Sequence, residues 1–312
     1  MSQKIIDPVA VSLLEAELTP ARFLRQTNKG NNEIYIVQAN EAPNVMREIG
    51  RLREIAFRTA GGGTGKSCDI DDYDVMDPPC RQLIVWDPEE KVITGGYRFI
   101  HGRDVKILPD GSPRIATSHM FRFSDRFISD YLPYTIELGR SFVRLEYQSS
   151  KAGAKALFTL DNLWDGLGAL TVVYPEIKYL FGKFTMYPEY LRDCRDMLLY
   201  FLNTHFPDPD NLVRPFKPLQ LTTDLSRFSA MMPGTSFKDD YKVLNSEIRA
   251  RGINIPPLVN AYMSLSPTMK IFGTAINDEF GNVEETGIFL TIADIFEEKK
   301  QRHIDTFHQQ DL

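Results

Sequence analysis

Disulfide chemistry is the first thing this sequence leaves out. Cys68, Cys80 and Cys194 are three scattered thiols in 312 residues, which fits a reducing compartment better than a cross-linked scaffold. Histidine is scarce too. There are five, and His303 and His308 stand five apart, so they share no i, i+4 helix face. We expect no metal site. No apolar run approaches the roughly 20 residues that span a bilayer. No cationic, apolar start resembles a signal peptide, so a cytoplasmic protein is expected. An excess of positive charge is also missing. The net charge is −6, which argues against a nucleic-acid partner.

What remains is an ordinary globular composition, 43% hydrophobic and 25% charged. Asp7 and Pro8 suit a helix start leading into Val11, Leu14 and Leu18, and residues 20–26 read as a second short helical piece. Residues 33–39 read as a strand. Val45, Ile49, Leu52 and Ala56 recur at helical spacing over residues 41–58, with Asn40 as the cap. Strands follow at 83–86 and 92–101, with Gly95 and Gly96 allowing a bulge or close backbone approach. A less regular aromatic span, 102–130, precedes a strand over 134–144. A helix over 156–172, a strand over 179–186 and a helix over 188–206 come next. Two helices (239–251 and 257–265) and two closing strands (270–276 and 287–292) complete the chain. The order suggests an α/β (α+β) fold, a mixed sheet with helices on both faces. The expected organisation is an N-terminal helical segment (1–32), one domain (33–292) with an insertion at about 207–255, and a C-terminal tail (293–312).

The chain is organised around residues 53–74, REIAFRTAGGGTGKSCDIDDYD. Residues 60–67 come one step from the phosphate-binding pattern GxxxxGK[ST], with Ala60 where the first glycine belongs. Such a loop needs a buried strand before it and a helix start after it. Here a helix precedes it, and four aspartates with Pro78–Pro79 follow. The rival reading is a substrate-binding cap, in which Asp69, Asp71 and Asp74 meet a cationic amine or an arginine network. A solvated acidic loop is the plain alternative.

Residues 134–155 offer a second place for chemistry. Glu137 and Arg140 are three apart on the expected strand, which puts them toward opposite faces. A buried glutamate needs a partner. It would be either a salt bridge to Arg98 or Arg53, or a general base tuned by its neighbours. The turn after this strand holds Ser149, Ser150, Lys151, Gly153 and Lys155 and enters a helix. It is either a single-phosphate site or a surface turn. Arg98, beside Gly95 and Gly96, is placed to clamp Asp69, Asp71 or Asp74.

The segments REIAFR, TGK, DIDDYD, LIVWD, GGYRF, ELGRSFV and YLFGKFTM, in this order from about residue 33 to 292, resemble the GNAT-like N-acyltransferases that make ornithine and glycine lipids, often labelled hemolysins. The resemblance is greatest to the glycine-lipid enzymes of Bacteroides-type bacteria. The family is related to acyl-homoserine-lactone synthases and long-chain N-acyl amino acid synthases. One position departs from its pattern: Gly62, where a glutamate is usual.

The resemblance implies a mostly antiparallel sheet splayed between the strands at 134–144 and 179–186, with the acyl chain in the gap. It implies a 3-hydroxyacyl thioester on acyl carrier protein, or acyl-CoA, as donor, and a small amino acid, glycine or ornithine, as acceptor. No cofactor is held permanently, and peripheral membrane contact would serve product release. Glu137 and Arg140 would be catalytic. Arg53, Phe57, Asp69, Asp71, Asp74 and Arg98 would bind the acceptor side. Phe142, Val143, Arg144, Ser150, Lys151, Gly153, Lys155 and Gly182 would bind the donor. The alternatives are an acyl- or carrier-binding module without turnover, and a nucleotide-hydrolysing P-loop protein.

Overall fold

A computed structural model describes residues 2–148 and 154–308. The chain divides into two compact units. The first comprises Met1–Lys106, Tyr134–Ile177 and Glu297–Leu312; the second comprises Ile107–Pro133 and Lys178–Phe296.

The first unit is a five-stranded antiparallel sheet. Its strands are β1 (Phe23–Gln26), β2 (Glu33–Val37), β3 (Arg81–Asp87), β4 (Val92–His101) and, after a short β5 (Phe121–Phe123) that belongs to the second unit, β6 (Thr135–Val143). Spatial order within the unit follows chain order, β1-β2-β3-β4-β6. The run Leu83–Trp86 is buried on both faces. That burial explains why this strand reads as continuous apolar sequence and not as an alternation.

Helices cover both faces. Helix α1 (Val11–Glu17) precedes β1, and α2 (Pro43–Thr59) runs between β2 and β3. Val45, Ile49, Leu52 and Ala56 of α2 are buried as their spacing requires, each large side chain contributing about 1.5–3 kcal/mol. A one-turn helix, α3 (Asp72–Val75), sits in the acidic loop. Helix α4 (Ala154–Val173) lies on the other face, where a Cβ on its Gly166 would meet the Leu83 side chain at 2.7 Å.

The second unit holds a three-stranded antiparallel sheet of β7 (Tyr179–Met186), β10 (Val283–Thr291) and β9 (Lys270–Asn277) in that spatial order. The aromatic span supplies β5, which pairs with β8 (Val213–Pro215) as a two-stranded ribbon. Helices α5 (Arg192–His205), α6 (Leu225–Met231), α7 (Phe237–Ala250) and α8 (Pro257–Met263) complete it. The tail forms α9 (Glu297–His303) in the first unit. Among the described residues, no helix is long and apolar enough to cross a membrane.

The structure corrects several boundaries. Residues 20–26 are a 3-10 turn followed by strand β1, because Phe23 to Gln26 pair with β2. Pairing with a neighbour decides such short segments, and local periodicity does not. Helix α1 begins at Val11 and α2 at Pro43, a favoured first helical position, so neither Asp7 nor Asn40 is the cap.

Candidate active site

The site is built on one face of the first unit's sheet. Gln82 of β3 lies opposite Arg98 of β4, and Ile100 opposite Glu137 of β6. Directly opposed residues share a face, as do residues two apart on one strand. Gln82, Arg98 and Glu137 therefore line the same face. Close packing at its edge depends on glycine, since a Cβ on Gly96 would meet the Leu83 carbonyl at 2.6 Å.

Arg140 joins that face by a route that simple alternation misses. Between the pairs Arg98–Gly139 and Gly96–Phe142, β6 carries one residue more than β4, and Arg140 has φ of 50°. This bulge re-aims the side chain. Arg140 Nε comes to 3.0 Å from Asp69 Oδ2, and Nη2 to 3.3 Å from Asp71 Oδ2. The expectation that Glu137 and Arg140 occupy opposite faces is thus overturned.

The acidic loop folds onto this face by its own local chemistry. Asp71 caps α3, accepting from the amides of Tyr73 and Asp74, while Asp74 Oδ2 accepts from the Asp71 amide in return. This capping box is encoded by acids three apart. The same carboxylates hold the arginines. Arg98 Nη1 lies 2.5 Å from Asp71 Oδ1 and 3.2 Å from Asp74 Oδ1. Arg53 of α2 donates to both Asp74 oxygens at 3.2 Å and also to Gln82, and Gln82 Nε2 donates to Asp74 Oδ1 at 2.9 Å. Arg98 also stacks over Tyr73, 5.4 Å from its centroid. Three guanidiniums and three carboxylates interleave, and Glu137 is a further buried acid on the same sheet face.

Burial sorts these groups. Arg53, Asp69 and Asp74 side chains are wholly buried, Arg98 is 4% exposed, Arg140 15% and Asp71 22%. Arg53 and Asp74 are therefore an internal tie, and Asp71 and Arg140 form the accessible rim. Burial would raise the Asp74 carboxyl, but Arg53 and Arg98 outweigh it and hold Asp74 below the usual carboxylate range. The same pairing lifts Arg98 above the ordinary arginine value against its own burial. Asp69 behaves oppositely. Among the described residues neither of its oxygens receives an aligned hydrogen bond, and burial pushes its carboxyl up despite Arg140 and Arg53 nearby. Cys80, buried behind the cluster, is driven up to about 12 by burial.

The glycine loop is committed internally. Glu54, fully buried on α2, accepts from the Thr64 amide at 3.1 Å, the Thr64 hydroxyl at 2.7 Å and the Gly65 amide at 2.8 Å. Arg58 pairs with the same carboxylate at 2.7 Å. Burial opposes the charge on Glu54, yet these donors prevail and lower its pKa. Amides that would cradle a phosphate thus already hold a carboxylate, and a helix precedes them where a P-loop needs a strand. The left-handed φ of Gly61, Gly63 and Gly65, 91°, 90° and 73°, explains the glycines without a nucleotide.

Loop and helix meet at Gly50. The Asp69 amide donates to the Gly50 carbonyl at 3.0 Å, and a Cβ on Gly50 would meet Cys68 Sγ at 2.5 Å. Gly50, Glu54 and Gln82 are the positions that reading the sequence missed. Their only signals were a glycine within a helix and polar residues beside apolar runs.

Of the donor-side residues, Phe142 is buried on β6, and Val143 and Arg144 follow it, the Arg144 amide donating to the Thr94 carbonyl at 2.8 Å. Gly182 lies on β7 opposite Ile288. Phe57, one turn after Arg53, is buried at the end of α2. Ser150, Lys151 and Gly153 lie outside the described residues, and of Lys155 only its place in α4 is described.

Residues 52–157, which contain the whole cluster, match the family model for the acetyltransferase (GNAT) domain. A glycine N(alpha)-acyltransferase from Bacteroides thetaiotaomicron is 64% identical over 305 residues, covering 98% of this chain and 90% of its own. A glycine N(alpha)-acyltransferase from Phocaeicola vulgatus is 60% identical over 308 residues, covering 99% and 94%. Among solved structures, FeeM, an N-acyl amino acid synthase from uncultured soil microbes, aligns over 84% of this chain and 93% of its own with a TM-score of 0.36 and 11% identity.

Proposed function

The chain is an N-acyltransferase of the glycine N(alpha)-acyltransferase family, and we propose that it moves a fatty acyl group from a thioester to the amine of glycine, the first step of an amino-acid lipid. The donor is a 3-hydroxyacyl chain on the pantetheine arm of acyl carrier protein, with acyl-CoA the alternative carrier. The product, an N-acyl amino acid, is amphiphilic, so a peripheral meeting with the membrane serves its release.

The observation that carries the reading is Glu137. It is a buried acid on the same sheet face as Arg98, three residues before Arg140, whose guanidinium joins the acidic loop. Glu137 takes a proton from the incoming ammonium, directly or through one water. The freed amine attacks the thioester carbonyl carbon, its nitrogen gives up a second proton, the C–S bond breaks, and the departing thiolate takes up that proton, directly or through water, to leave as thiol. The bulge after Gly139 breaks the register of β6 with β4 at Arg140 and the residue after it, three positions beyond Glu137. That irregularity suits backbone N–H groups turned toward a developing oxyanion. Arg140 and Asp71, the accessible rim, meet the acceptor's carboxylate and ammonium. Arg53, Asp74 and Arg98 act through them by holding the loop.

The test is Glu137→Gln. Turnover of glycine and acyl carrier thioester, followed by mass spectrometry of the product, should fall by roughly 100-fold or more with the fold intact. Unchanged turnover would move the base elsewhere. Carrier binding without product in the unmodified protein would favour a binding module.

A further inference from the structure

On the second unit, the β5–β8 ribbon presents an arrangement that the acyl-transfer chemistry does not use. Arg122 and Arg214 are directly opposed across the two strands, and both are exposed. Like charges directly opposite each other destabilise a strand pair. Neither arginine, nor exposed Lys217 two residues beyond the ribbon, pairs with a carboxylate among the described residues. Arg126, four residues after Arg122, does pair, at 3.1 Å from Asp210. Beside them Phe216 is 51% exposed, its ring beneath the Arg122 guanidinium at 5.6 Å. The ribbon is held from behind, where Phe121, Phe123 and Val213 are buried and the Phe216 amide donates to the Met120 carbonyl at 2.9 Å.

We infer that this ribbon is a docking surface for an anionic lipid bilayer, with Arg122, Arg214 and Lys217 meeting headgroup phosphates and Phe216 entering the interface. Charge complementarity selects an anionic occupant, since an external anion relieves the opposed arginines. The size of the patch selects a membrane over an acidic protein. The named patch is three separate cations and one ring, whereas a stable protein interface asks for a matched face of roughly 1,000 Å². A bilayer's surface potential acts on each cation separately and needs no matching shape. An aromatic ring set among cations is also the chemistry of interfacial anchoring. The choice of a lipid surface rests on the acyl-transfer reading, because an amphiphilic product has to reach a bilayer.

The test is sedimentation of the full chain with vesicles of phosphatidylcholine alone and of an equimolar mixture with phosphatidylglycerol. The unmodified chain should bind the anionic vesicles, more weakly as salt rises, and bind the neutral ones poorly. Each cation is worth about fivefold in partition, so Arg122→Gln, Arg214→Gln and Lys217→Gln together should weaken binding on the order of 100-fold. Phe216→Ala should weaken it at high salt as well, where the charges are screened. Circular dichroism and acyl transfer to glycine in detergent, read on the same variants, should be unchanged. That separates a failed membrane surface from a failed enzyme assignment. Binding of the unmodified chain to neither vesicle, or equal binding by the triple variant, would overturn the inference. So would loss of acyl carrier protein binding in the triple variant while vesicle binding persists.

Discussion

Asp74→Asn is the perturbation that most exposes how the acidic cap is held. Asp74 is wholly buried and accepts from Arg53 at 3.2 Å, Gln82 at 2.9 Å and the Asp71 amide at 3.1 Å, with Arg98 3.2 Å away. Asparagine keeps the shape but removes the charge, and its amide nitrogen would face the donors now met by Oδ2. Arg98 keeps Asp71, so Arg53 is the charge that loses its hydrogen-bonded counter-ion, retaining Gln82 and the more distant Asp69. Breaking a buried pair on one side costs about 3–5 kcal/mol. At about 2 °C per kcal/mol, the low end of the scale for long chains, the melting temperature should fall by roughly 6–10 °C. The measurement is thermal unfolding followed by circular dichroism at pH 7 and across the acid limb.

The sign of the pH effect follows from the native Asp74 carboxyl lying below its ordinary value. The unfolded chain binds that proton more readily, so the contribution is fully present above about pH 4 and is lost as pH falls below it. The variant should have a flatter acid limb. Adding Arg53→Met removes the stranded charge, so the double variant should lose less than the sum of the single losses. A loss under about 1 kcal/mol, or strictly additive losses, would refute the reasoning.

Three further outcomes follow. Asp69→Asn should hold or raise the melting temperature at pH 7, because burial already opposes its charge, while turnover falls as Arg140 keeps Asp71 but loses the carboxylate beside its Nε; a marked loss of stability would contradict this. Gly50→Ala should destabilise by about 1–3 kcal/mol and lower turnover, although alanine is the better helix former by about 1 kcal/mol, since its Cβ would strike Cys68 and crowd Asp69; a stabilised variant would refute the packing. Isothermal calorimetry should detect no ATP binding at the glycine loop, whose amides Glu54 occupies; heat that disappears on replacing Lys66 would restore a nucleotide site.

Much of the fold was legible because its elements are long and strongly patterned. Strand β4 and strand β7 fall where their sequences place them, and the apolar stripe of α2 is the stripe that is buried. What stayed hidden was set by pairing. Residues 23–26 carry no strong period, so only the partner β2 makes them a strand. Asp71, Asp74 and Arg98 were visible as a match of charge to charge. Arg53 and Glu54 were harder, since charged neighbours on a helix normally face water, and here both are fully buried against loop partners remote in sequence. Arg140 shows the limit most clearly. A one-residue bulge, visible only once β4 and β6 are in register, decides which face its side chain joins.

The most direct test incubates the purified chain with 3-hydroxyacyl carrier protein and glycine and identifies the product by mass spectrometry. The account predicts N-acylglycine together with one free thiol released per product. Folded protein that yields only hydrolysed acyl chain, or acylates no amine at all, would contradict it.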